Sequence, residues 1–394
     1  MRKWKQIGLG DTATFFNGYA FKPTDWSTSG KEIIRIQNLT KGSSQINYFE
    51  GEIPEKYKVR KGDILISWSG SLGVYEWKGK DSWLNQHLFK VVFDKEDLDK
   101  SFFTYLISNS LKKLETQVHG ATMKHITKKK FDAFPVALPP LDQQKKIAAI
   151  LDAADAYRQK TKALIDKYDQ LTQSLFLDMF GDPVTNPKGW NEVKLGNICG
   201  VGSSKRVFVD ELVEDGIPFY RGTEVGKLGE GKSITPGLFI TKEHYESLKK
   251  HRGIPKKGDL LMPSICPDGR IWVIDDDKEF YFKDGRVLWV EVDSKKINSI
   301  YLRYHMRGSF FANYNNIASG TTFAELKIVA LKKMNIFYPD LNLQDQFAER
   351  VQAIEAQKAQ AQASLAQAED LFHSLLQRAF KGELTANTSP AIDT

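Results

Sequence analysis

Cysteine is nearly missing from this chain: of 394 residues only Cys199 and Cys266 carry thiols, both in the second half. So sparse a pair excludes a disulfide framework and is read as a reduced, cytoplasmic protein. Long apolar runs are missing too. Nothing approaches the roughly 18 residues of a membrane-spanning helix, and the opening MRKWKQIGLGD lacks a signal-peptide core, so no membrane attachment is expected. The signatures of cofactor chemistry are equally scarce. There is no GxxxxGK[ST] phosphate loop and no GxGxxG following a strand. No Asn or Asp precedes Pro-Pro-aromatic; Asn186 is followed by Pro187 and Lys188. The seven histidines show no metal-ligand spacing. Asp293 and Lys295, with Asp284 upstream, form an acidic-x-Lys pattern that is read as a charged strand end rather than a nuclease site. Little in the residues themselves thus points to catalysis.

Conspicuously present is a long helix. Residues 141–180 contain no glycine or proline and consist largely of strong helix formers. Ile147, Leu151, Ala154, Thr161, Ile165, Tyr168 and Leu175 recur at helical spacing. Forty residues make a rod of roughly 60 Å, longer than a small domain requires and characteristic of a coiled coil or spacer. A second rod over 341–384 repeats the stripe with Phe347, Val351, Ile354, Leu365, Leu371 and Leu375. The shift is 200 residues, pairing Ile147 with Phe347, Leu151 with Val351 and Phe180 with Phe380. Earlier anchors repeat as well: LGD at 9–11 with LGN at 195–197, KGDIL at 61–65 with KGDLL at 257–261, and GATM at 120–123 with GTTF at 320–323. The chain is a tandem duplication of globule plus helix. Each apolar stripe needs a partner, and the other rod is the nearest candidate.

The divisions expected are a first mixed globule over 1–140, a central helix over 141–180, a linker over 181–192, a second globule over 193–340, a C-terminal helix over 341–384 and a disordered tail over 385–394. Both globules are read as mixed and mostly β. Strands are expected at 32–39, 61–67 and 85–93 with a helix at 101–114, and at 216–224, 257–264 and 286–292 with a helix at 301–311. Glycine and two prolines after Phe180 mark a helix stop. A formal charge of +7 favours a polyanionic partner. Basic clusters at 124–130, 249–252, 256–257 and 332–333 recur near corresponding places in both globules, which points toward nucleic acid.

This layout resembles the specificity subunits of type I restriction-modification systems over nearly the whole chain. The resemblance rests on LGD and LGN, IIRIQNL at 33–39, the two KGD turns, LNQH at 84–87, the GATM and GTTF loops, and PPLDQQ at 139–144. The second copy departs from it, with LNLQDQ at 341–346 and KDGR at 283–286. The resemblance implies an α+β chain in which two target recognition domains are separated by a pair of long antiparallel coiled-coil helices, a pseudo-twofold tandem repeat. It further implies that each domain reads one half of a gapped DNA site while the helices set the gap. By the same resemblance the chain would have no catalytic site and bind no cofactor or metal of its own; it would dock two methyltransferase subunits, which use S-adenosylmethionine, and restriction/translocase subunits, which use ATP and Mg2+. Half-sites on one face of B-DNA lie on the order of 35 Å apart, within reach of such a rod.

Base reading needs forked or amide side chains, Arg toward guanine and Asn or Gln toward adenine. Candidates in the first domain are Arg35, Gln37, Asn38, Trp68, Ser69, Asn85, Gln86, Thr122, Lys124 and His125. In the second they are Ser204, Lys205, Arg206, Tyr220, Arg221, Thr223, Ser264, Asp268, Arg270, Lys283, Arg286 and Thr321. Two other readings stand beside this one: a stand-alone DNA methyltransferase or nuclease, and a coiled-coil adaptor that binds only proteins.

Overall fold

The computed structural model describes residues 4–40, 45–117, 126–318 and 324–385. The chain divides into two compact units, Met1–Lys162 with Ala363–Thr394, and Ala163–Gln362. Each long helix therefore contributes one half to each unit, and neither helix stands apart as a domain of its own.

In the first unit the chain runs β1 (Lys5–Gly8), β2 (Thr14–Asn17), β3 (Lys31–Ile34), α1 (Ile36–Thr40), β4 (Asn47–Phe49), β5 (Lys58–Val59), β6 (Ile64–Ser67), β7 (Gly73–Glu76), β8 (Ser82–Leu84), β9 (Leu88–Val92), α2 (Lys100–Gln117), α3 (Lys128–Asp132), β10 (Pro135–Leu138) and the first half of α4 (Leu141–Phe180). One sheet has the order β2-β9-β6-β7, another β4-β3-β8-β5, and β1 pairs with β10. Within the second sheet β3 and β8 are parallel, with Ile33 opposite Trp83 and Ile34 opposite Leu84. Phe15, Ile66, Phe89, Phe102, Phe103 and Phe131 form the core, closed by Ile147 and Leu151 of α4.

The second unit repeats this plan. It comprises β11 (Glu192–Lys194), α5 (Leu195–Ile198), β12 (Cys199–Gly202), β13 (Ile217–Tyr220), α6 (Gly222–Gly229), β14 (Phe239–Ile240), α7 (Lys242–Arg252), β15 (Leu260–Pro263), β16 (Trp272–Val273), β17 (Tyr281–Phe282), β18 (Val287–Val292), α8 (Ser299–Ile317), α9 (Ile328–Lys332), β19 (Asn335–Phe337) and half of α10 (Leu341–Phe380). Its sheets run β12-β18-β15-β16 and β14-β13-β17, and β13 and β17 are parallel. Leu260, Met262, Leu288, Tyr301 and Leu302 form its core with Phe176, Phe180 and Phe347. The KGD turns are superimposable in logic. Gly62 (φ +95°) and Gly258 (φ +91°) take the left-handed conformation that glycine tolerates, and the following Asp63 and Asp259 accept from the N–H of Arg60 and Lys256 at 2.9 and 3.1 Å. Asp259 is fully buried and also accepts from Trp289 Nε1 and Val292 N, at 2.9 and 3.0 Å.

Within each unit the two long helices pack antiparallel, numbers rising on one as they fall on the other. In the first, Arg158 lies 4.3 Å over the Phe372 ring and Lys162 meets Glu369 at 3.2 Å. In the second, Phe176 and Phe180 pack on Phe347 at centroid distances of 5.6 and 5.4 Å, and Lys358 meets Asp169 at 2.5 Å. Ile147, Leu151 and Thr161 are buried as their spacing predicts. Leu371 is not: it is exposed and Phe372 takes the seam, just as Leu171 is exposed beside buried Thr172.

Several boundaries differ from expectation. The C-terminal helix ends at Phe380 rather than 384, where Gly382 (φ +78°) reverses the chain. The expected strand at 32–39 stops at Ile34 and the chain turns into α1; that at 85–93 starts only at Leu88, because the Leu88 N–H bonds to Asn85 O at 3.1 Å and turns residues 85–87. The expected strand at 216–224 ends at Tyr220, and α6 follows despite its three glycines, its first turn held by Arg221 and Glu224. The linker over 181–192 is ordered: Trp190 Nε1 donates to Phe180 O at 2.8 Å, and Asp182 accepts from Val184 N and Thr185 N, which holds its carboxyl below the ordinary value. Past Thr385 the tail lies outside the described residues, as do both the 120–123 and 320–323 loops.

His305 has no counterpart in the first unit. The Asp99 and Asn298 N–H groups donate to Gln144 and Gln344 at the starts of α2 and α8, an alignment that sets Leu106 in its place. The ring is fully buried, its Nε2 accepts from Phe337 N at 3.2 Å, and burial pushes the imidazole down to about 3. The folded state thus refuses a proton that the unfolded chain takes up near pH 6.5. Its stabilisation is whole above about pH 6.5 and is lost as the pH falls toward about 3. His305→Leu should forfeit the Phe337 hydrogen bond, about 1 kcal/mol, yet remove this dependence. Thermal midpoints at pH 7.5 and 5.5 should drop further for the parent chain than for the variant; equal drops contradict the assignment.

Candidate nucleic-acid interface

The sequence-derived candidates concentrate at one repeated feature, the carboxyl ends of each parallel strand pair. In the first unit Arg35 leaves β3 and Asn85 leaves β8, joined by an Asn85 N to Ile34 O hydrogen bond of 3.2 Å. In the second, Arg221 leaves β13 and Lys283 leaves β17, joined by a Lys283 N to Tyr220 O bond of 2.8 Å. Loops leaving the ends of neighbouring parallel strands diverge, so Arg221 is exposed and Arg35 and Lys283 half-exposed while Asn85 stays buried and the roots are fixed by the sheet.

Around the first of these, Arg35 is half-buried. Its Nη1 donates to Asn47 Oδ1 at 3.2 Å, and its guanidinium lies 5.2 Å over the Trp26 ring, which is exposed. Asn38 is occupied locally: its amide oxygen accepts from Arg35 N at 2.9 Å and its Nδ2 donates to Gln45 O at 3.3 Å. Gln37 is half-buried on α1. Asn85 is buried and accepts from His87 N at 3.3 Å. Gln86 Nε2 lies 3.4 Å from His87 Nε2. Trp68 packs its face on Phe89 at 5.6 Å, and the Ser69 carbonyl accepts from Ser67 Oγ at 3.3 Å. Thr122, Lys124, His125 and, in the second unit, Thr321 lie outside the described residues.

In the second unit two grooves take up half of the candidates. One, of about 390 Å³, is lined by Arg206, Lys283 and Arg286. Arg206 Nε donates to Asp284 at 3.0 Å, Lys283 Nζ to Val207 O at 3.2 Å, and Arg286 reaches Glu325. Ser204 Oγ donates to Phe282 O at 2.7 Å and Lys205 N to Tyr281 Oη at 2.9 Å. The other cleft, of about 960 Å³, contains Tyr220, Asp268 and Arg270. Tyr220 stacks on Phe280 at 5.1 Å and its phenol is pushed up by burial; Arg270 pairs with Asp268 at 2.8 Å. Arg221 closes a fork on Glu224 through bonds of 3.2 and 2.9 Å. Burial alone would raise the Glu224 carboxyl, but the Arg221 guanidinium and the backbone donors outweigh it and hold it below its ordinary value. Thr223 is exposed on α6. Ser264 is not at the surface: its backbone bonds to Arg286 O and Leu326 N bury it beneath the Arg286 loop.

Sequence reasoning missed Trp26, Phe208 and Val209, all exposed beside these loops. Their exposure depends on the strand pairing and leaves no mark in local composition. Among the described residues no three His, Cys, Asp or Glu side chains are grouped to hold a metal, and no helix is long and apolar enough to cross a membrane. Burial pushes both thiols up to about 12, so neither is a ready nucleophile.

A duplicated mixed domain, with Arg35, Asn85 and Gln86 at the ends of the parallel strand pair in one copy and Arg221 and Lys283 at those of the other, defines a two-domain recognition scaffold. The chain belongs to the type I restriction modification DNA specificity domain family, whose model matches residues 1–167 and 187–369. It is 25% identical over 417 residues to the type I restriction enzyme EcoBI specificity subunit of Escherichia coli, covering 97% of this chain and 86% of that one. It is likewise 25% identical over 317 residues to the MjaVIII specificity subunit of Methanocaldococcus jannaschii, covering 75% and 73%. The fold is shared with the type I restriction-modification S subunit from M. genitalium, at TM-score 0.56 and 16% identity over 96% of both chains. It is shared too with a chain solved in work on complex assembly of the type I R-M system, at TM-score 0.59 and 16% identity over 97% and 99%.

Because Asn38 bonds the backbone on both sides of its own turn, Asn38→Ala should lower the stability of the first unit by about 1–2 kcal/mol without any DNA present. Denaturant melts read this directly; an unchanged midpoint would free Asn38 for another role.

Proposed function

We propose that each domain reads one half of a bipartite, gapped DNA site and that the chain is the non-catalytic specificity subunit of its restriction-modification complex. What carries this reading is the repeated placement of differing polar side chains on one scaffold: Arg35 and Asn85 in one domain, Arg221 and Lys283 at the matching strand ends in the other. Equal frameworks with unequal tips are what two different half-sites demand. The net charge of +7 supplies the sequence-independent attraction.

The paired helices act as the spacer, and their outer face is the dock for two methyltransferase subunits. On α4, Ile150, Tyr157, Leu164 and Leu171 recur every seven residues and remain exposed. The matching α10 positions hold Arg350, Gln357, Ser364 and Leu371. A heptad apolar stripe left uncovered by the intrachain pairing suits a partner helix. S-adenosylmethionine, ATP and Mg2+ belong to the partner subunits in this scheme, and the complex works in the cytoplasm on double-stranded DNA.

The test is sequencing of methylated adenines in cells carrying the complete system. Arg35→Ala should relax or abolish recognition of one half-site only, and removal of one heptad from both long helices should change the gap but neither half. Loss of the other half-site with Arg35→Ala, or altered half-sites on heptad removal, would contradict the scheme. Methyl transfer by the purified chain alone would overturn the non-catalytic assignment. Absence of salt-dependent duplex binding with the methyltransferase partner present would favour a protein-only adaptor.

A further inference from the structure

The second domain carries an apolar feature that the polar candidates do not account for. Phe208 and Val209 are adjacent, 57% and 82% exposed. They sit at the entrance of a one-turn helix, Val209–Glu211, on the rim of the groove lined by Arg206, Lys283 and Arg286. Isolated exposed apolar residues are ordinary, but this pair is held out by construction. Ser203 Oγ donates to Val287 O at 2.6 Å, and Ser204 Oγ to Phe282 O at 2.7 Å. Lys205 N donates to Tyr281 Oη at 2.9 Å, and Phe208 N to Glu211 Oε2 at 2.7 Å. Val207, between them, is buried in the core of Phe219, Ile240, Tyr245 and Tyr281. A loop pinned at this many points has no slack with which to fold two hydrophobic side chains inward.

The first domain repeats the scaffold with other tips. Its turn Pro23–Asp25 is preceded by buried Phe21, as Val209–Glu211 is by Val207, and Lys22 N donates to Asp25 Oδ2 at 2.7 Å in the same closure. At the places of Phe208 and Val209 stand exposed Lys22 and Pro23. The scaffold is duplicated and the presented chemistry changes, Lys22 standing where Phe208 does and the small ring of Pro23 where Val209 does.

We propose that Phe208 and Val209 are specificity-determining residues of the second domain that seat on thymine methyl groups in the major groove. The inference rests on the DNA-reading function argued above. The groove's chemistry selects duplex DNA as occupant: Arg206 and Lys283 share one carboxylate, Asp284, and Arg286 pairs with Glu325, so three cations meet two carboxylates and leave a net positive wall for phosphates. The thymine 5-methyl is the apolar group that a major-groove base edge offers, and apolar side chains read it by contact.

The experiment uses the complete complex of this chain with its methyltransferase subunits. Methylated-adenine sequencing first defines both half-sites. Duplexes are then made with each thymine of the second half-site replaced singly by deoxyuridine, which removes only the methyl. The parent complex should lose about four-fold in affinity at one or two positions, the worth of one buried methyl, and the Phe208→Ala/Val209→Ala complex should show no such sensitivity. In cells that variant should relax the second half-site at the same A·T pairs and leave the first half-site intact. Because both side chains are exposed, its thermal midpoint should match the parent's. Uracil tolerance at every position in the parent complex, uracil sensitivity retained in the variant, or relaxation confined to G·C pairs would each overturn the proposal while leaving the two-headed reading standing. A parent complex without sequence-dependent binding would overturn that reading itself, and this inference with it.

Discussion

A buried glutamine at the start of each long helix ties helix to domain. Gln144, 1% exposed, accepts from Asp99 N at 2.9 Å and donates to Asp97 O and Pro139 O at 3.0 and 2.9 Å. Gln344, fully buried, accepts from Asn298 N at 2.9 Å and donates to Pro339 O at 2.8 Å. In both copies one amide thus satisfies the backbone at the start of the domain's own helix and at the entry to the long one. A buried amide that loses a partner costs about 1–3 kcal/mol, so the direction in which each long helix leaves its domain is fixed by hydrogen bonding as well as by packing of Ile147 or Phe347. A device that measures distance along DNA needs this stiffness at the joint more than anywhere else, because a rod on a loose pivot sets no length.

Divergence of the copies is concentrated away from those joints. The KGD turns, the parallel strand pairs and the glutamine locks are retained, while the chain at the strand ends changes from Asn85 and Gln86 to Lys283 and Asp284. The partition is physical. Groups that hold the turns and helix starts together tolerate little exchange, whereas the loop positions that follow the strands vary in charge and shape.

The duplication and the helix pair were legible because they depend on long, strongly periodic patterns and on spacing between repeated anchors, whereas the sharing of each long helix between the two units was not. The seam failed at one place: Leu371 is expected on the stripe, yet Phe372, in strict heptad phase with Leu365 and Val351, is the buried residue, and Leu371 lies one position out of phase and exposed. The short strands were displaced at their ends by side-chain bonds such as Asn38 Oδ1 to Arg35 N, which pull the backbone out of the ladder. Of the recognition candidates, several gather at the strand ends, but composition did not show which side chains are bound into the fold. Asn38 proves to be bonded into its own turn and Ser264 to the distant Arg286 and Leu326 backbone, and Trp26, Phe208 and Val209 went unseen because only the tertiary fold exposes them.

The account treats each domain as an independent reader attached through an equivalent joint. It is tested most directly by replacing residues 5–138 with a second copy of residues 192–338 and sequencing the adenine methylation made by the complete complex. Two identical readers on the same struts should methylate a site whose two halves are both the original second half, at an unchanged gap. Persistence of the original first half-site, or loss of both halves despite intact complex assembly, would contradict it.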